Sequence, residues 1–251
     1  MINLIKINPM RVIKMPKPIT DLEYQAPKPE NFYSAKELQE FLACAKKQMD
    51  RLSYTMFHIL AYTGLRKGEL LALNWDNINF KDNTLLVTRN LSTPKGIPTI
   101  GAPKNKYSYR ALILDNDSIK ILLEWKEEQR AIYKTMNQTV SSDENQPIFT
   151  RVGYHDDISR CYIDYPNNTL KTFYKNNPDL KRISPHGFRH THTTLLFESG
   201  ARIKEVQERL GHSEKDLSVT LGVYTHVTKE RNSEAVNQLI NYMNQPNKKH
   251  A

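Results

Sequence analysis

The apolar and polar positions of the chain first settle into a regular pattern at Ser34. Ser34 and Glu37 have the spacing of a capping box, in which each side chain binds the other residue's backbone N–H at the start of a helix. Apolar residues then recur at helical spacing: Leu38, Phe41, Leu42 and Ala45. We therefore expect the folded part of the chain to begin with a helix here.

Two more helical segments follow. The run from Arg51 to Tyr62 has apolar side chains at helical spacing and leads into Gly64, because glycine readily adopts the left-handed conformation that ends a helix. Residues 65–75 then predict a short helix after a tight turn, and Arg66 lies at that turn. An arginine in such a place is most often a solvated cation, so its position alone does not indicate a site.

The pattern changes at Asn77 from helical to β. Short β-branched or apolar runs are separated there by polar or Pro/Gly-rich segments, and their sequences are INF, TLLVTRNL and RALILD. This arrangement is typical of a small antiparallel sheet. Lys104 and Lys106 lie at the entrance to its last strand, where a lysine is usually only a solubilising charge.

Helical patterns return after the sheet. Asp117 is predicted to cap a long helix. Its buried stripe is predicted to consist of Ile119, Ile121, Leu122, Trp125 and Ile132. A polar loop at 137–146 and a brief extended piece at 147–149 should follow. Further helices are predicted at residues 167–176, 185–199, 203–210 and 228–242. The fold class is therefore α+β, mostly α-helical, with a small antiparallel β-sheet on one side.

Residues 185–226 stand out chemically, because five of the protein's eight histidines fall within them. Arg189 and Tyr224 belong to the same segment. It has no paired carboxylates suited to a sugar or a peptide, and no glycine-rich phosphate cradle. Cations, imidazoles and a phenol together suit an anionic phosphate that is attacked by a tyrosine.

The helix predicted at 185–199 places two of these groups on one face. His186 and Arg189 are one turn apart, so we expect an exposed imidazole and an exposed guanidinium near the helix N-terminus, where free N–H groups also favour anions. His212 directly follows Gly211, the predicted stop of the helix at 203–210. These groups predict a phosphate-binding face.

A metal site is the alternative interpretation of the same histidines. His186 and His190 are one turn apart and His192 is close by. Zinc needs three or four ligands, and the sequence has neither the glutamate of an HExxH motif nor a cysteine pair at metal-binding spacing. We therefore expect no metal and no cofactor, and we expect His190 and His192 to pack against or support the site.

The composition also indicates the kind of partner that the protein binds. The formal net charge is +9 and the cations cluster, for example at residues 104–110 and 171–189, where aromatic residues lie between them. Such clusters favour nucleic acid, although many basic proteins bind none. The candidate contacts are Lys106, Arg110, Lys171 and Arg182.

The sequence also argues against a membrane protein and against a secreted one. No apolar run approaches the roughly 18 residues of a membrane span, and the first residues lack the apolar core of a signal peptide. The two cysteines form no disulfide framework. We expect a cytoplasmic protein with no membrane association.

Four motifs in order resemble those of the tyrosine recombinases, the phage integrase family. The first is TGLRKGELLALNWDNI at residues 63–78, and the others are HGFRH at 186–190, LGH at 210–212 and VYTHV at 223–227. The resemblance covers about residues 31–241. It implies the tyrosine recombinase catalytic fold and an enzyme that breaks and rejoins DNA without metal or ATP.

The resemblance also assigns roles to residues of this sequence. The family's catalytic positions fall on Arg66, Lys104, His186, Arg189, His212 and Tyr224. Glu69 matches an acidic position that supports the first arginine from behind, and Lys106 is the alternative to Lys104.

The implied reaction is a phosphoryl transfer to tyrosine. Tyr224 would attack the scissile phosphate and form a 3′-phosphotyrosine, while Arg66 and Arg189 hold the non-bridging oxygens. His186 would act as the base and Lys104 would protonate the departing 5′ oxygen. His212 would donate a hydrogen bond to the phosphate.

The domain organisation follows from the same resemblance. Residues 1–30 are expected to be a basic linker or arm, the remnant of a connection to a core-binding domain, and residues 31–245 the catalytic domain, with a polar tail at 246–251. Double-stranded DNA is the expected partner, bound by a homotetramer, and the isolated chain is expected to be a monomer. Integration or excision of a phage or other mobile element is the implied process. A DNA-binding remnant that no longer cleaves, or a metal-dependent nuclease, remains the alternative.

Overall fold

The structure, a computed structural model, describes residues 30–103 and 106–212. Its helices are α1 (Ala35–Gln48), α2 (Arg51–Thr63), α3 (Lys67–Leu71), α4 (Asn116–Thr135), α5 (Tyr165–Asn176), α6 (Pro185–Glu198) and α7 (Ile203–Leu210). Its strands are β1 (Ile78–Asn79), β2 (Thr84–Val87), β3 (Asn90–Ser92), β4 (Thr99–Gly101), β5 (Arg110–Ile113), β6 (Thr150–Val152) and β7 (Ile158–Arg160). The predicted fold class, mostly helical with a small antiparallel sheet, is confirmed.

Local capping explains where the first helices begin and end. The Ser34 side chain accepts a hydrogen bond from the backbone N–H of Glu37 at 3.3 Å, and the Glu37 carboxylate accepts one from the N–H of Ser34 at 2.7 Å. This capping box starts α1 as predicted. Gly64 ends α2 with φ of 64°, a conformation that costs glycine little.

The cap of α4 differs from the prediction. Asp115, not Asp117, is the N-cap, because its carboxylate accepts hydrogen bonds from both the backbone N–H and the hydroxyl of Ser118. Asp117 instead lies in the first turn of the helix. In the predicted stripe Ile119, Leu122 and Trp125 are buried, whereas Ile121 and Ile132 are only partly buried.

The strands form three small antiparallel sheets within the described part of the chain. The central one has the order β1-β2-β5, with Leu85 opposite Leu112. The run TLLVTRNL was predicted as one strand, but it divides into β2 and β3, and β3 pairs with β4 in a separate hairpin. The β6–β7 hairpin was not predicted.

The core is built around α2, which packs against α1, α3, α4, α5 and α6. Beneath α6 lies a group of packed rings in which Phe188 is fully buried. Its ring centroid lies 5.1 Å from that of Phe41 and 5.4 Å from that of Phe57. This aromatic packing fixes the position of α6, the helix that carries several predicted site residues.

The start of the described chain is tied to the same helix. The Asn31 side chain donates to the hydroxyl of Ser184, the N-cap of α6, at 2.9 Å and accepts from the Ser184 backbone N–H at 2.8 Å. The backbone N–H of Tyr33 donates to the Thr191 hydroxyl at 2.9 Å. Residues 31–33 therefore restrain the N-terminal half of α6. None of the helices among the described residues is long and apolar enough to cross a membrane.

Candidate active site

The first part of the site is the turn between α2 and α3. The left-handed Gly64 turns the chain so that Arg66 becomes the N-cap of α3. The carboxylate of Glu69, which is 2% exposed, accepts from the Arg66 backbone N–H at 3.0 Å and from its Nη1 at 2.9 Å. About a third of the Arg66 side chain stays exposed. Glu69 thus lies behind Arg66, in the place expected for a supporting carboxylate.

Arg110 binds the same carboxylate, at the oxygen that also accepts from the Arg66 backbone N–H. Its Nη2 donates to Oε2 of Glu69 at 2.9 Å, and its side chain is only 6% exposed. Its Nε donates to the carbonyl of Arg209 and its Nη1 to that of Ser108. Each of the three nitrogens therefore has a partner inside the protein. This placement corrects the prediction that Arg110 contacts nucleic acid.

The charges around Glu69 keep it ionised. Burial raises the pKa of this carboxyl, but the hydrogen bond and charge of Arg110 oppose that effect, followed by the backbone N–H of Arg66 and the charge of Arg189. Together they hold the pKa of Glu69 below its usual value. A buried anion thus lies among three guanidinium groups.

Arg189 lies on α6 and is buried, which differs from the exposed guanidinium that we predicted. Its Nη1 donates to the carbonyl of Gly64 and its Nη2 to the carbonyl of Leu210, both at 2.7 Å. The residue is 4% exposed. The physical reason is that Arg189 joins the end of α2 to the end of α7, and both carbonyls lie inside the fold. Its orientation is therefore fixed by the backbone.

His186 lies one turn before Arg189 and is exposed at the surface. Partial loss of hydration lowers the pKa of His186 to about 4, with further contributions from His190 and from the charges of Arg189 and Arg66. The His186 and His190 rings meet edge to face with centroids 4.8 Å apart. His186 is therefore neutral at pH 7 and lies within the electrostatic reach of both arginines.

His192 faces the interior from the same helix. Its Nδ1 lies 2.9 Å from the Ala61 carbonyl, and its Nε2 lies 3.0 Å from Nε of Arg209. A carbonyl can only accept and a guanidinium can only donate, so the ring must be neutral with its proton on Nδ1. Burial lowers the pKa of His192 to about 3, and Arg209 adds to the effect. This is the packing role expected for it.

His212 follows the end of α7. Gly211 ends that helix with φ of 66°, and the backbone N–H of His212 donates to the carbonyl of Gln207 at 3.0 Å. A Cβ atom on Gly211 would lie 2.9 Å from Nη1 of Arg110 and 2.9 Å from the carbonyl oxygen of Tyr107. The turn that presents His212 is thus packed closely against the start of β5.

The structure therefore brings together Arg66, His186 and Arg189, while α7 presents His212. Lys104 and Tyr224 lie outside the described residues, as do the predicted helix at 228–242 and residues 1–29. Lys106 begins a short 3₁₀ turn whose first side chain is likewise not described. Lys171 on α5 and Arg182 before α6 are exposed, so both can reach a partner.

A metal site is the alternative interpretation of the same histidines. Within residues 30–103 and 106–212, no group of three or more His, Cys, Asp or Glu side chains is placed to hold a metal ion. His186 and His190 therefore have no third ligand in that part of the chain.

Sequence reasoning missed two structural arginines. Arg110 has the appearance of a strand-end cation, and only the fold reveals that Glu69 faces it. Arg209 donates to the Tyr62 carbonyl at 3.0 Å as well as to His192. These partners lie on α2 and α6, so no local pattern in α7 indicates them.

Comparison with known proteins gives one clear match at the family level. The model of the Phage integrase family matches residues 31–231, which include all six predicted catalytic positions. Among curated relatives, the ICEBs1 integrase of Bacillus subtilis is 32% identical over 212 residues, covering 83% of this chain and 54% of the relative. The XerC-like tyrosine recombinase of Caldanaerobacter subterraneus is 34% identical over 195 residues, covering 72% and 47%. The chain spans about half the length of these two relatives.

Among solved structures, the Tn1549 transposon integrase in complex with circular intermediate DNA superposes with a TM-score of 0.67. The superposition covers 85% of this chain and 68% of that one at 20% sequence identity. At this identity the likeness establishes the fold.

Proposed function

This chain belongs to the phage integrase family, and from that premise we propose that it is the catalytic part of a site-specific DNA recombinase that cuts and rejoins strands through Tyr224. The observation that carries the proposal is the convergence of three groups. Arg66 and Arg189 are each fixed by the protein, and both lower the pKa of the same neutral imidazole, His186. Two fixed cations beside a neutral base suit a phosphodiester under attack.

The proposed first step is transesterification. The Tyr224 oxygen attacks phosphorus, the bond from phosphorus to the 5′ oxygen breaks, and the DNA strand becomes a 3′-phosphotyrosine with a free 5′-hydroxyl. Arg66 and Arg189 stabilise the charge on the non-bridging oxygens, and His212 donates a hydrogen bond to one of them. Attack of a 5′-hydroxyl from a second duplex reverses the step and joins new strands.

Proton transfer falls to His186 and Lys104. An unperturbed tyrosine has a pKa of about 10, so Tyr224 needs a base at neutral pH. His186 is neutral there because its pKa is about 4 without DNA. A bound phosphate would raise that pKa, since nearby negative charge favours the imidazolium. Lys104 would give its proton to the 5′ oxygen, with Lys106 as the alternative donor.

The test is to trap the covalent product. The chain would be incubated with a library of nicked duplexes that carry a randomised core, and protein-linked DNA would be recovered under denaturing conditions and sequenced. We expect a recurring core sequence with the unmodified chain and with Tyr154→Phe, which alters a tyrosine that is 97% exposed on the β6–β7 turn. Tyr224→Phe should give no adduct.

Three results would overturn the proposal. An adduct that persists in Tyr224→Phe would refute the nucleophile. No adduct from the unmodified chain, with DNA still retarded in a native gel, would favour a DNA-binding remnant instead. Cleavage that leaves no adduct and is lost on adding a chelator would favour the metal-dependent nuclease.

We further propose how this activity is organised. Residues 31–245 form the catalytic domain, residues 1–30 form a basic connecting arm and residues 246–251 a polar tail. Four copies assemble on double-stranded DNA, in the cytoplasm, to integrate or excise a mobile element. Exposed Lys171 and Arg182 contribute phosphate contacts. Light scattering of the chain with and without a recovered duplex would test the assembly, with a monomer expected alone and four chains expected on paired duplexes.

A further inference from the structure

Arg110 occupies a central position among the candidate site residues, although its side chain is buried. It is the first residue of β5, and it pairs with Glu69, which is itself 2% exposed. A buried arginine that donates in three directions has a fixed guanidinium plane, because each nitrogen fixes a different edge of the group. Its contacts therefore define the relative positions of the elements that they join.

Two of these contacts lead directly to candidate catalytic residues. Through Nη2, Arg110 holds Oε2 of Glu69, whose Oε1 holds Arg66 at 2.9 Å. Through Nε, it holds the carbonyl of Arg209 at 2.8 Å, three residues before His212.

The third contact joins Arg110 to the short 3₁₀ turn that precedes its strand. Nη1 donates to the carbonyl of Ser108 at 3.0 Å and lies against Gly211, where a Cβ atom would approach it to 2.9 Å. Ser108, before β5, and the turn that presents His212 therefore pack on the same guanidinium. No bulkier residue than glycine fits at position 211 without displacing Arg110.

We propose that Arg110 is a positioning residue that sets the placement of Arg66 relative to His212 for phosphoryl transfer. It acts through Glu69 and through the backbone of α7, and it does not touch the DNA. This inference rests on the proposed function for its effect on strand cleavage, whereas the contacts that carry it are independent of that function.

A lysine cannot reproduce this arrangement. An ammonium group in place of the guanidinium would keep a positive charge near Glu69, but it has no rigid fork to reach the Arg209 carbonyl at the same time. Arg110→Gln removes the charge as well. The two variants therefore separate the electrostatic link to Arg66 from the geometric link to His212.

The charges around Glu69 predict how DNA cleavage by the Arg110 variants depends on pH. Three guanidinium groups face this carboxylate, those of Arg66, Arg110 and Arg189. Without Arg110, burial is less strongly opposed and the pKa of Glu69 rises. Protonation of Glu69 then releases Arg66, so cleavage by Arg110→Gln should fall further as the pH drops from about 7 to about 5. Cleavage by Arg110→Lys should follow the pH profile of the unmodified chain.

The experiment compares Arg110→Gln and Arg110→Lys with Arg160→Gln in the full chain. Arg160 is a matched control, because it also donates to two backbone carbonyls, those of Leu71 and Leu73, and to one side chain, that of Asn74. Single-turnover cleavage of a duplex recovered with the unmodified chain should fall about 100-fold in Arg110→Gln, since small displacements of catalytic groups have effects of that size. Arg160→Gln should cleave near the unmodified rate.

Two further measurements need no cleavage. The dependence of DNA affinity on salt should have the same slope in Arg110→Gln as in the unmodified chain, because no phosphate contact is lost. Hydrogen exchange of the Gly211 and His212 amides should become about five- to tenfold faster in both Arg110 variants, since the carbonyl of Arg209 loses its donor. Arg160→Gln should leave those amides unchanged.

The outcomes separate a positioning role of Arg110 from direct contact with DNA and from a general structural role. A salt slope reduced by about one phosphate contact, or unchanged exchange at Gly211 and His212, would overturn the positioning role. Equal loss of cleavage in Arg110→Gln and Arg160→Gln would show a general structural effect and overturn it too. If the unmodified chain forms no adduct, the proposed function fails, and the slope and the exchange rates still decide the role of Arg110.

Discussion

The two faces of α6 are held in place by different kinds of force. One face carries Phe188, which is fully buried against Phe41 and Phe57. The other carries Arg189 and His192, whose side chains bind backbone carbonyls at 2.7 to 2.9 Å. Apolar packing has no direction, so it locates the helix as a whole, whereas hydrogen bonds orient individual groups. The site thus depends on the aromatic face for its position and on the polar face for its geometry.

The largest effect on stability should come from the aromatic face. Phe188→Ala leaves a cavity beneath α6 and should lower the free energy of unfolding by about 4 kcal/mol. Urea denaturation measures this, with Phe188→Leu as the milder control. A loss below about 1 kcal/mol would mean that the aromatic packing does not locate α6.

A change in the charged groups beside the polar face of α6 should have an effect nearly as large, because Glu69 on α3 interacts with the charge of Arg189. Glu69→Gln leaves Arg66 and Arg110 without their carboxylate, and an unpaired buried charge should lower the free energy of unfolding by about 3 kcal/mol. Cleavage of DNA by the folded fraction should also fall, because Arg66 loses its restraint. Glu40→Gln, on the exposed side of α1, is the control for loss of one negative charge.

A Glu69→Gln variant that is as stable and active as Glu40→Gln would contradict the network of charges. A stable but inactive Glu69→Gln would show that the geometry of the site and the stability of the fold depend on different contacts of Glu69.

His192 should make the free energy of unfolding depend on pH in the acidic range. Its pKa is about 3 in the folded chain and about 6.5 in an unfolded one, so the unfolded chain binds the extra proton between these values. Stability is therefore lost as the pH falls from about 6.5 towards 3, and this residue should account for about 2 kcal/mol between pH 7 and pH 5. Urea denaturation at both pH values measures it.

The matched variants are His192→Gln and His155→Gln. The first should reduce the loss of stability on acidification, and the second should leave it unchanged, because His155 is exposed. An unchanged pH dependence in His192→Gln would contradict the neutral, buried ring.

The smallest effect should come from the segment that restrains the N-terminus of α6. Asn31→Ala removes two hydrogen bonds to Ser184 at an exposed position and should cost about 1 kcal/mol. A double-mutant cycle with Ser184→Ala checks it, since coupled residues give effects that do not add. Additive effects would mean that Asn31 does not act on the helix cap.

Helix boundaries were the part of the fold most open to prediction. Gly211 ends α7 and the Ser34 box starts α1 where the sequence predicts, because these signals act through the local backbone. The predicted N-cap of α4 was wrong because Asp115 and Asp117 are equally good caps in sequence, and only packing selects one.

The site was predictable in its residue types but not in its contacts. The resemblance to the family named Arg66, His186 and Arg189, and the fold places them together. The burial of Arg189 and the inward turn of Arg110 depend on carbonyls and a carboxylate that lie far away in sequence, so no local pattern indicates them. Their partners become visible only in the folded chain.

The chemistry of the cut DNA strand shows directly whether Tyr224 is the nucleophile. After reaction with a recovered nicked duplex, the adduct would be digested and the modified peptide identified by mass spectrometry. The released end would be labelled with a polynucleotide kinase without prior phosphatase treatment. We predict a nucleotide on Tyr224 and a 5′-hydroxyl that accepts the label. A nucleotide on another residue, or an end that is labelled only after phosphatase treatment, would contradict attack of Tyr224 on the phosphate.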